Sequence, residues 1–506
     1  MPTYDAILFG RTAKNSAPRF YLPPGIHRIA TEIRKIGLTC QVINYMDWFT
    51  VEELYKLLPR YIGINTKVIG FSTTFWRQDP DRAKPIQIAN LIIEYALERF
   101  PNIKIIAGGS EAHRVAGNNF KKIDAIFLDF PEDILSKYLI AIRDHTAIPI
   151  ETGRCLISNA SIYKTSNSAF DFNYSKIQYE PNDYVLPNST VTLEVGRGCI
   201  FKCKFCSFKL NGKKKLDHIK CIDTLREELV DNYAKHKIQS YVMSDDTFND
   251  STDKLEILHE LFTSLPFKIY FAAYLRLDLI NAHREQIALL KEMGLVGAFF
   301  GVESFHPKAA SNIGKGLNPI IAKQLLYDLK HQYWKNEVKI TVGLITGLPY
   351  DTVESYEETK KWIADPSNLV DKIGIIPLYL TAPDERPGSE LSEFDLNAAK
   401  YGFYWSANSL NWKNMYGPIF TFEQAKKIRD ELEIVCQQVN KSEMSASTIG
   451  SFGAVISWNS RPDTPVTLPA VLAMEPNEYL VWRSLKDPSD LIQEYKEKLL
   501  YGNSDK

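Results

Sequence analysis

Two long stretches of this chain alternate short apolar runs with amphipathic, helix-period runs. In the first, Ala6-Ile7-Leu8-Phe9, Val42-Ile43-Asn44-Tyr45, Val68-Ile69-Gly70-Phe71-Ser72, Lys104-Ile105-Ile106-Ala107-Gly108-Gly109 and Asp124-Ala125-Ile126-Phe127-Leu128 read as strands. Between them, Ile26, Ile29, Ala30, Ile33 and Ile36 recur at nearly i, i+3, i+4, i+7, and Gly37 stands where a helix ends. Ile86 to Phe100 carries a second helical pattern. Strand–helix alternation predicts a doubly wound parallel sheet with helices on both faces. Ligands of such sheets bind at the carboxyl ends of strands. Ser72-Thr73-Thr74 and Gly108-Gly109-Ser110 fall at such ends, where glycine lets a ligand approach the backbone.

The second alternating stretch runs from about Ser189 to Leu380, and its strands end in polar residues or glycine. Tyr241-Val242-Met243-Ser244 ends in Asp245-Asp246, and Lys268 to Tyr274 leads to Arg276. Ala298 to Val302 leads to Glu303-Ser304, and Val338 to Val342 leads into Gly343-Leu344-Ile345-Thr346-Gly347. Lys372 to Ile376 is the last strand, and Thr224 to His236 and Pro319 to Gln332 are helical. Such positions in a parallel barrel converge on its mouth and read as site residues. The expected organisation is an α/β domain at 1–146, a polar connector at 147–188, a second α/β domain at 189–388 and a mainly helical region at 389–506. In the last region Tyr401 to Trp412, Glu423 to Asn440 and Tyr479 to Leu500 read as helical, after a Pro-rich loop from Thr381 to Gly388.

Composition narrows the class. The chain has 506 residues, a formal net charge of -1 and 12% aromatic residues. It is expected to be globular with sizeable cores. Near-zero charge removes bulk electrostatics as a reason to bind nucleic acid or an acidic membrane. The run Lys213-Lys214-Lys215 reads as a solvated loop. There is no eighteen-residue uncharged apolar stretch and no secretory pattern at Met1-Pro2-Thr3-Tyr4-Asp5. The expectation is a reducing cytoplasm and no membrane partner.

The sharpest chemical signal is Cys199-Ile-Phe-Lys-Cys203-Lys-Phe-Cys206, a C-x3-C-x2-C spacing that follows Gly196-Arg197-Gly198. Structural zinc uses four ligands in separated pairs, so it needs His218 or Cys221 as well. Disulfides fit poorly with seven cysteines and a cytoplasmic setting. Three thiolates on one loop leave one iron of a four-iron cube open, as a catalytic centre requires. The glycines permit the tight loop that aims the thiolates at one cube.

This run resembles the radical S-adenosylmethionine (SAM) signature, and the resemblance spans roughly residues 4 to 440. It implies a [4Fe-4S] cluster on Cys199, Cys203 and Cys206, and SAM chelated to the open iron. The 5′-deoxyadenosyl radical released from SAM then abstracts hydrogen from an unreactive carbon. It also implies a partial (β/α)6 core, with Ser244, Asp245 and Asp246 in place of the G-G-E-like run that takes the SAM ammonium. Arg276 and Glu303 match positions that contact the SAM carboxylate or ribose. Gly343, Ile345 and Gly347 match the G-x-I-x-G that lies against adenine, and Phe205 matches an aromatic beside it. The first domain resembles the cobalamin-binding domain of one large radical SAM class. That likeness rests on Tyr21-Leu22-Pro23-Pro24-Gly25, Ile69-Gly70-Phe71-Ser72 and Ala107-Gly108-Gly109, and it places Ser72, Thr73, Gly108 and Gly109 by cobalamin. The D-x-H-x-x-G lower-ligand motif is absent; His27 and His113 are the available histidines, and neither is assigned to cobalt.

The resulting expectation is a class B-type enzyme that methylates an unactivated carbon of a small molecule or peptide, with an electron donor such as flavodoxin or ferredoxin. The alternatives are cobalamin-free epimerisation, rearrangement or oxidoreduction, and a non-catalytic corrinoid or iron–sulfur protein. A methylthiotransferase needs three further cysteines in the first domain, where only Cys40 precedes residue 150.

Overall fold

The computed structural model describes residues 4–11, 22–74, 76, 83–109, 111–165, 171–185, 189–207, 216–381, 391–405, 412–416, 421–443, 445, 449–459, 470–471, 473–474, 478 and 488–502. The expectations on Tyr21, Ser110, Lys213 to Lys215, the loop at 382–388 and the run 479–487 lie outside the described residues. The chain divides into two compact units: Met1–Thr192 with Asp223–Ile238 and Lys486–Lys506, and Leu193–Ile222 with Gln239–Leu485.

The first unit is built on β1 (Ala6–Phe9), β2 (Cys40–Ile43), β3 (Val68–Ser72), β4 (Lys104–Gly108), β5 (Ala125–Asp129), β6 (Gly153–Arg154) and β7 (Ser161–Thr165). Their order is β2-β1-β3-β4-β5-β7-β6. All pairs are parallel except β6 with β7. Successive residues feed opposite cores, as the two-residue period of a strand requires. Ile7, Phe9, Ile69, Phe71 and Ile105 pack with the helices Val51–Tyr61 and Ala83–Arg99. Ala6, Leu8, Val42, Val68 and Phe127 pack with the helices Pro24–Lys35 and Glu132–Asp144. Both faces are covered, which is why these strands read as apolar runs.

Two segments far along the chain complete this unit. Part of the stretch expected to be a connector forms β7, where Tyr163 is buried against Phe127 at a 5.1 Å ring separation. The helix Pro488–Tyr501 adds Leu491, Ile492, Tyr495 and Leu499 to the first core. The Tyr495 hydroxyl accepts the Asn44 N–H at 2.8 Å, just past β2.

The second sheet has the order β13-β12-β11-β10-β9-β8, from β8 (Thr190–Leu193), β9 (Ser240–Met243), β10 (Tyr270–Leu275), β11 (Leu295–Glu303), β12 (Lys339–Thr346) and β13 (Lys372–Pro377). The pairs from β9 to β13 are parallel. On one face Phe271 packs with Phe248 and Phe262, and Phe300 stacks with Trp334. The opposite face receives the helix Ser451–Asn459. The Phe452 ring sits 4.8 Å from Tyr274 and 6.1 Å from Phe299, and the Ser451 N–H donates to Thr341 Oγ1 at 2.9 Å. Gly297 makes this approach possible, since a Cβ there would lie 1.9 Å from the Ser451 carbonyl oxygen.

The helical reading of Tyr401 to Trp412 is corrected by the structure. Phe403–Trp405 (β14) and Trp412–Asn414 (β15) pair antiparallel. Phe403 and Trp412 are buried while Tyr404 is exposed, so the aromatic pattern there has a period of two. The helix read over Glu423 to Asn440 is present as Phe422–Gln438, capped by Thr421.

One buried group sets a pH dependence for the first unit. His27 is fully enclosed, with Asn44 Nδ2 3.2 Å from its Nε2 and the Tyr179 ring 5.1 Å away. Burial pushes its pKa down to about 4. The unfolded chain therefore binds a proton between pH 6.5 and 4 that the folded chain does not. Stability is full above pH 6.5 and falls as pH drops toward 4, by up to about 3 kcal/mol from this residue. Chemical denaturation across this range will show that decline, and His27→Asn will flatten its share of it.

Candidate functional site

β8 leads through Gly196-Arg197-Gly198 into the three cysteines, and the returning segment 216–220 clamps the base of this loop through a bridge between Gly196 and Ile219. Arg197 N–H donates to His218 O, and Lys220 N–H donates to Val195 O, both at 2.8 Å. Gly196 lies in that pairing, where a Cβ would stand 3.0 Å from Asp245 Oδ1 and 3.2 Å from the His218 ring. Within the loop Cys206 N–H donates to Cys203 O at 3.0 Å, and Lys204 N–H donates to Ile313 O at 3.3 Å. Cys199 is buried, Cys203 and Cys206 are half-buried, and none of the three is in a disulfide.

A buried charge network underlies the loop. The Lys254 ammonium lies 2.9 Å from Asp245 Oδ1 and 3.4 Å from Asp250 Oδ1. Asp250 also holds His218 Nε2 at 2.8 Å, and Asp245 Oδ2 accepts the Val195 N–H at 3.3 Å. Lys254, Asp245, Asp250 and His218 are all buried. Desolvation works against the Lys254 charge, but the two carboxylates outweigh it and its pKa is raised. Neither Lys254 nor Asp250 was singled out in the sequence. His218, weighed as a zinc ligand, turns its Nε2 to Asp250.

The donor set fits an iron–sulfur cluster. It consists of three thiols on one loop, with hydrogen-bond partners behind two of the sulfurs. The Cys199 thiol lies 3.6 Å from Thr247 Oγ1, and Cys203 Sγ accepts from Arg276 Nη1 at 3.3 Å. Among the described residues no three His, Cys, Asp or Glu side chains gather as they would around a single ion. A four-iron cube takes its thiolates at separate irons.

The residues expected around SAM lie at the carboxyl ends of β9 to β12, in differing environments. Asp246 is open to solvent at the mouth, yet enough protein surrounds it for desolvation, with Asp245 beside it, to push its pKa up to about 7. Ser244 is exposed, whereas Asp245 is buried in the pair with Lys254. Glu303 stands at φ +68°, beside a break in register between β11 and β12, and pairs with Lys315 at 2.8 Å. A non-glycine residue held there stores backbone strain, a frequent mark of a functional site. Lys315 also faces the Phe205 ring, 6.0 Å from its centroid. It was missed in the sequence, although its setting, Gly314-Lys315-Gly316 just past the helix Pro307–Asn312, is a readable signal. A Cβ on Gly343 would meet the Phe299 ring at 2.8 Å, and one on Gly347 (φ +88°) would meet Ala425 at 2.7 Å and Trp412 at 2.9 Å. Ile345 is buried beside them.

In the first unit Ser72 and Gly108 stand opposite each other in the β3–β4 register. Thr73 donates to Gly108 O from both its N–H and its hydroxyl, at 2.9 and 3.0 Å. Gly109 at φ +101° is pressed against Thr74, so a Cβ there would stand 2.6 Å from the Thr74 hydroxyl oxygen. The four residues expected near cobalamin thus meet at one strand end. A side chain at Gly108 would meet nothing nearer than Phe127 O at 3.6 Å, leaving that backbone approachable. His27 is sealed in the core and the His113 side chain is not among those described, so neither is assigned to cobalt.

Removing one member of the buried network exposes its energetics. Lys254→Met leaves two buried carboxylates without their cation and costs about 3–5 kcal/mol. Chemical denaturation of the purified variant will read this loss directly.

Residues 193–363 match the Radical SAM superfamily model. Over 245 residues, covering 46% of this chain and 48% of the relative, the sequence is 28% identical to an uncharacterized methyltransferase of Pyrococcus horikoshii. The match thus spans about half the length of that curated relative. The fold is similar to that of the radical SAM methyltransferase TsrM from Kitasatospora setae, solved with cobalamin and a [4Fe-4S] cluster. That comparison has a TM-score of 0.60 and 12% identity, and it covers 95% of this chain and 99% of that one. It is also similar to the cobalamin-dependent radical SAM enzyme OxsB, at a TM-score of 0.54, 16% identity, and 79% and 56% coverage. Residues 193–363 thus carry a radical SAM domain, in a chain whose fold is similar to those of TsrM and OxsB.

Proposed function

We propose that this enzyme cleaves SAM reductively and uses cobalamin to methylate an unactivated carbon of a small molecule or peptide. The observation that carries this reading is the clamped three-thiol loop inside a radical SAM domain, together with a separate α/β unit whose Thr73, Gly108 and Gly109 converge at one strand end. With cluster and SAM bound, one electron from the reduced cluster would break the sulfonium C–S bond and supply methionine and a 5′-deoxyadenosyl radical.

The residues divide the work by their environments. Cys199, Cys203 and Cys206 would hold three irons of the cluster. Asp246, open and next to a fixed carboxylate, accepts the SAM ammonium; Ser244 offers a hydroxyl beside it. Asp245 acts from behind by fixing the loop through Lys254 and Val195. Glu303 and Lys315 form an ion pair placed for ribose or carboxylate, and Phe205, Gly343, Ile345 and Gly347 give an apolar, close-packed wall for adenine. Ser72, Thr73, Gly108 and Gly109 lie along the cobalamin. The functional domains are drawn at 1–146, 189–388 and 389–506, joined by 147–188, with β6, β7 and the helix Pro488–Tyr501 packing on the first. No helix among the described residues is long and apolar enough to cross a membrane. A cytoplasmic setting with a flavodoxin- or ferredoxin-like donor suits an oxygen-labile cluster.

The test is anaerobic reconstitution with iron, sulfide and hydroxocobalamin, then reduction with SAM present. About four irons, a retained corrinoid band and 5′-deoxyadenosine release support the reading. Four irons and SAM cleavage with no retained corrinoid turn it to cobalamin-free radical chemistry, and zinc in place of iron overturns it. Within the site, Asp246→Asn weakens SAM binding by tenfold or more, as measured by equilibrium dialysis of the reconstituted protein.

A further inference from the structure

We infer that Arg276 acts on the cluster itself, as the hydrogen-bond donor that sets the electron density on the Cys203 thiolate, and not as a ligand of the SAM carboxylate. The inference rests on the proposed SAM-cleaving function. Arg276 begins the turn after β10, and its backbone is locked from both sides by the buried Asn249. Asn249 Oδ1 accepts the Arg276 N–H at 2.8 Å, and Asn249 Nδ2 donates to Arg276 O at 3.1 Å. The guanidinium is itself buried, at 5% exposure.

A guanidinium has five N–H donors in a planar fork. Here the Nε and Nη2 edge is spent on Asp278, at 3.0 and 2.6 Å. Nη2 also donates to Gly314 O at 3.1 Å. Phe201 covers one face, its ring centred 4.0 Å from the guanidinium carbon. The remaining nitrogen, Nη1, reaches Cys203 Sγ at 3.3 Å. A bidentate grip on a carboxylate requires a free edge of the fork, and the Nε–Nη2 edge is already taken by Asp278. Phe201 comes from inside the cysteine loop, and Gly314 O belongs to the loop that accepts the Lys204 N–H through Ile313. The side chain is therefore fixed on a single sulfur.

Hydrogen bonds and positive charge at cluster sulfurs favour the reduced, more negative state. Arg276 thus raises the potential at which the cluster accepts its electron. Asp278 neutralises part of the charge while fixing the direction, so the N–H dipole carries much of the effect.

The experiment uses the full chain, reconstituted anaerobically, with an EPR-monitored redox titration in the absence of SAM and equilibrium dialysis of SAM. Arg276→Gln is expected to keep four irons, to shift the midpoint potential to more negative values, and to leave SAM affinity within about threefold of wild type. Arg276→Lys, which keeps charge without the fork, is expected to fall between the two. An unchanged potential with SAM affinity lowered tenfold or more overturns the inference and makes Arg276 a SAM ligand. Cluster loss from both variants also overturns it, since the side chain would then be structural. A wild-type protein that holds no four-iron cluster is a separate result, which counts against the proposed function.

Discussion

A single buried ammonium, that of Lys254, organises the end of the second sheet that carries the three cysteines. It sits between Asp245 and Asp250, at 2.9 and 3.4 Å, with no solvent to share its charge. Such an arrangement is costly to assemble and costly to break, so its geometry is narrow. Asp250 fixes His218, and His218 carries the carbonyl that anchors Arg197 at the head of the cysteine loop. Asp245 reaches the same loop through Val195. Gly196 then lets the two segments close onto this network without a side chain between them. Three thiols on a free loop would search many arrangements; here the fold itself meets the entropy of ordering them.

The same network explains why two adjacent acids sit in different environments. Asp245 faces inward to Lys254 and is committed, while Asp246 turns outward and keeps a carboxyl pushed up to about 7 by desolvation and by its neighbour. At the other strand ends side chains are again held by protein before any cofactor is considered: Glu303 by Lys315, Arg276 by Asp278. The face of the sheet that bears Tyr274 and Phe299 is covered by this chain's own Phe452.

Much of this was legible in the chain. Both sheets follow from apolar runs set between helix-period stretches, because strands buried on both faces leave little room for polar residues. The cysteine spacing carried the chemistry. Long-range closures were not legible. Nothing local in Pro488–Tyr501 says that Tyr495 meets Asn44, and nothing in Ser451–Asn459 says that it fills the face of β9 to β12. Tyr401 to Trp412 was misread because aromatic residues suit a strand as well as a helix, and only the alternation of Phe403 and Tyr404 between core and solvent decides. Charges were the hardest to read: Lys254 lies in a helix whose sequence resembles any solvated one, and its partners come from a strand end and a turn.

The central claim is that three cysteines leave one iron of a four-iron cube for SAM. Mössbauer spectroscopy of the 57Fe-reconstituted protein, recorded with and without SAM, addresses it directly. The account predicts a [4Fe-4S] cluster in which one iron site changes its parameters on SAM addition and the other three do not. Four sites that ignore SAM, or a cluster of two irons, would contradict it.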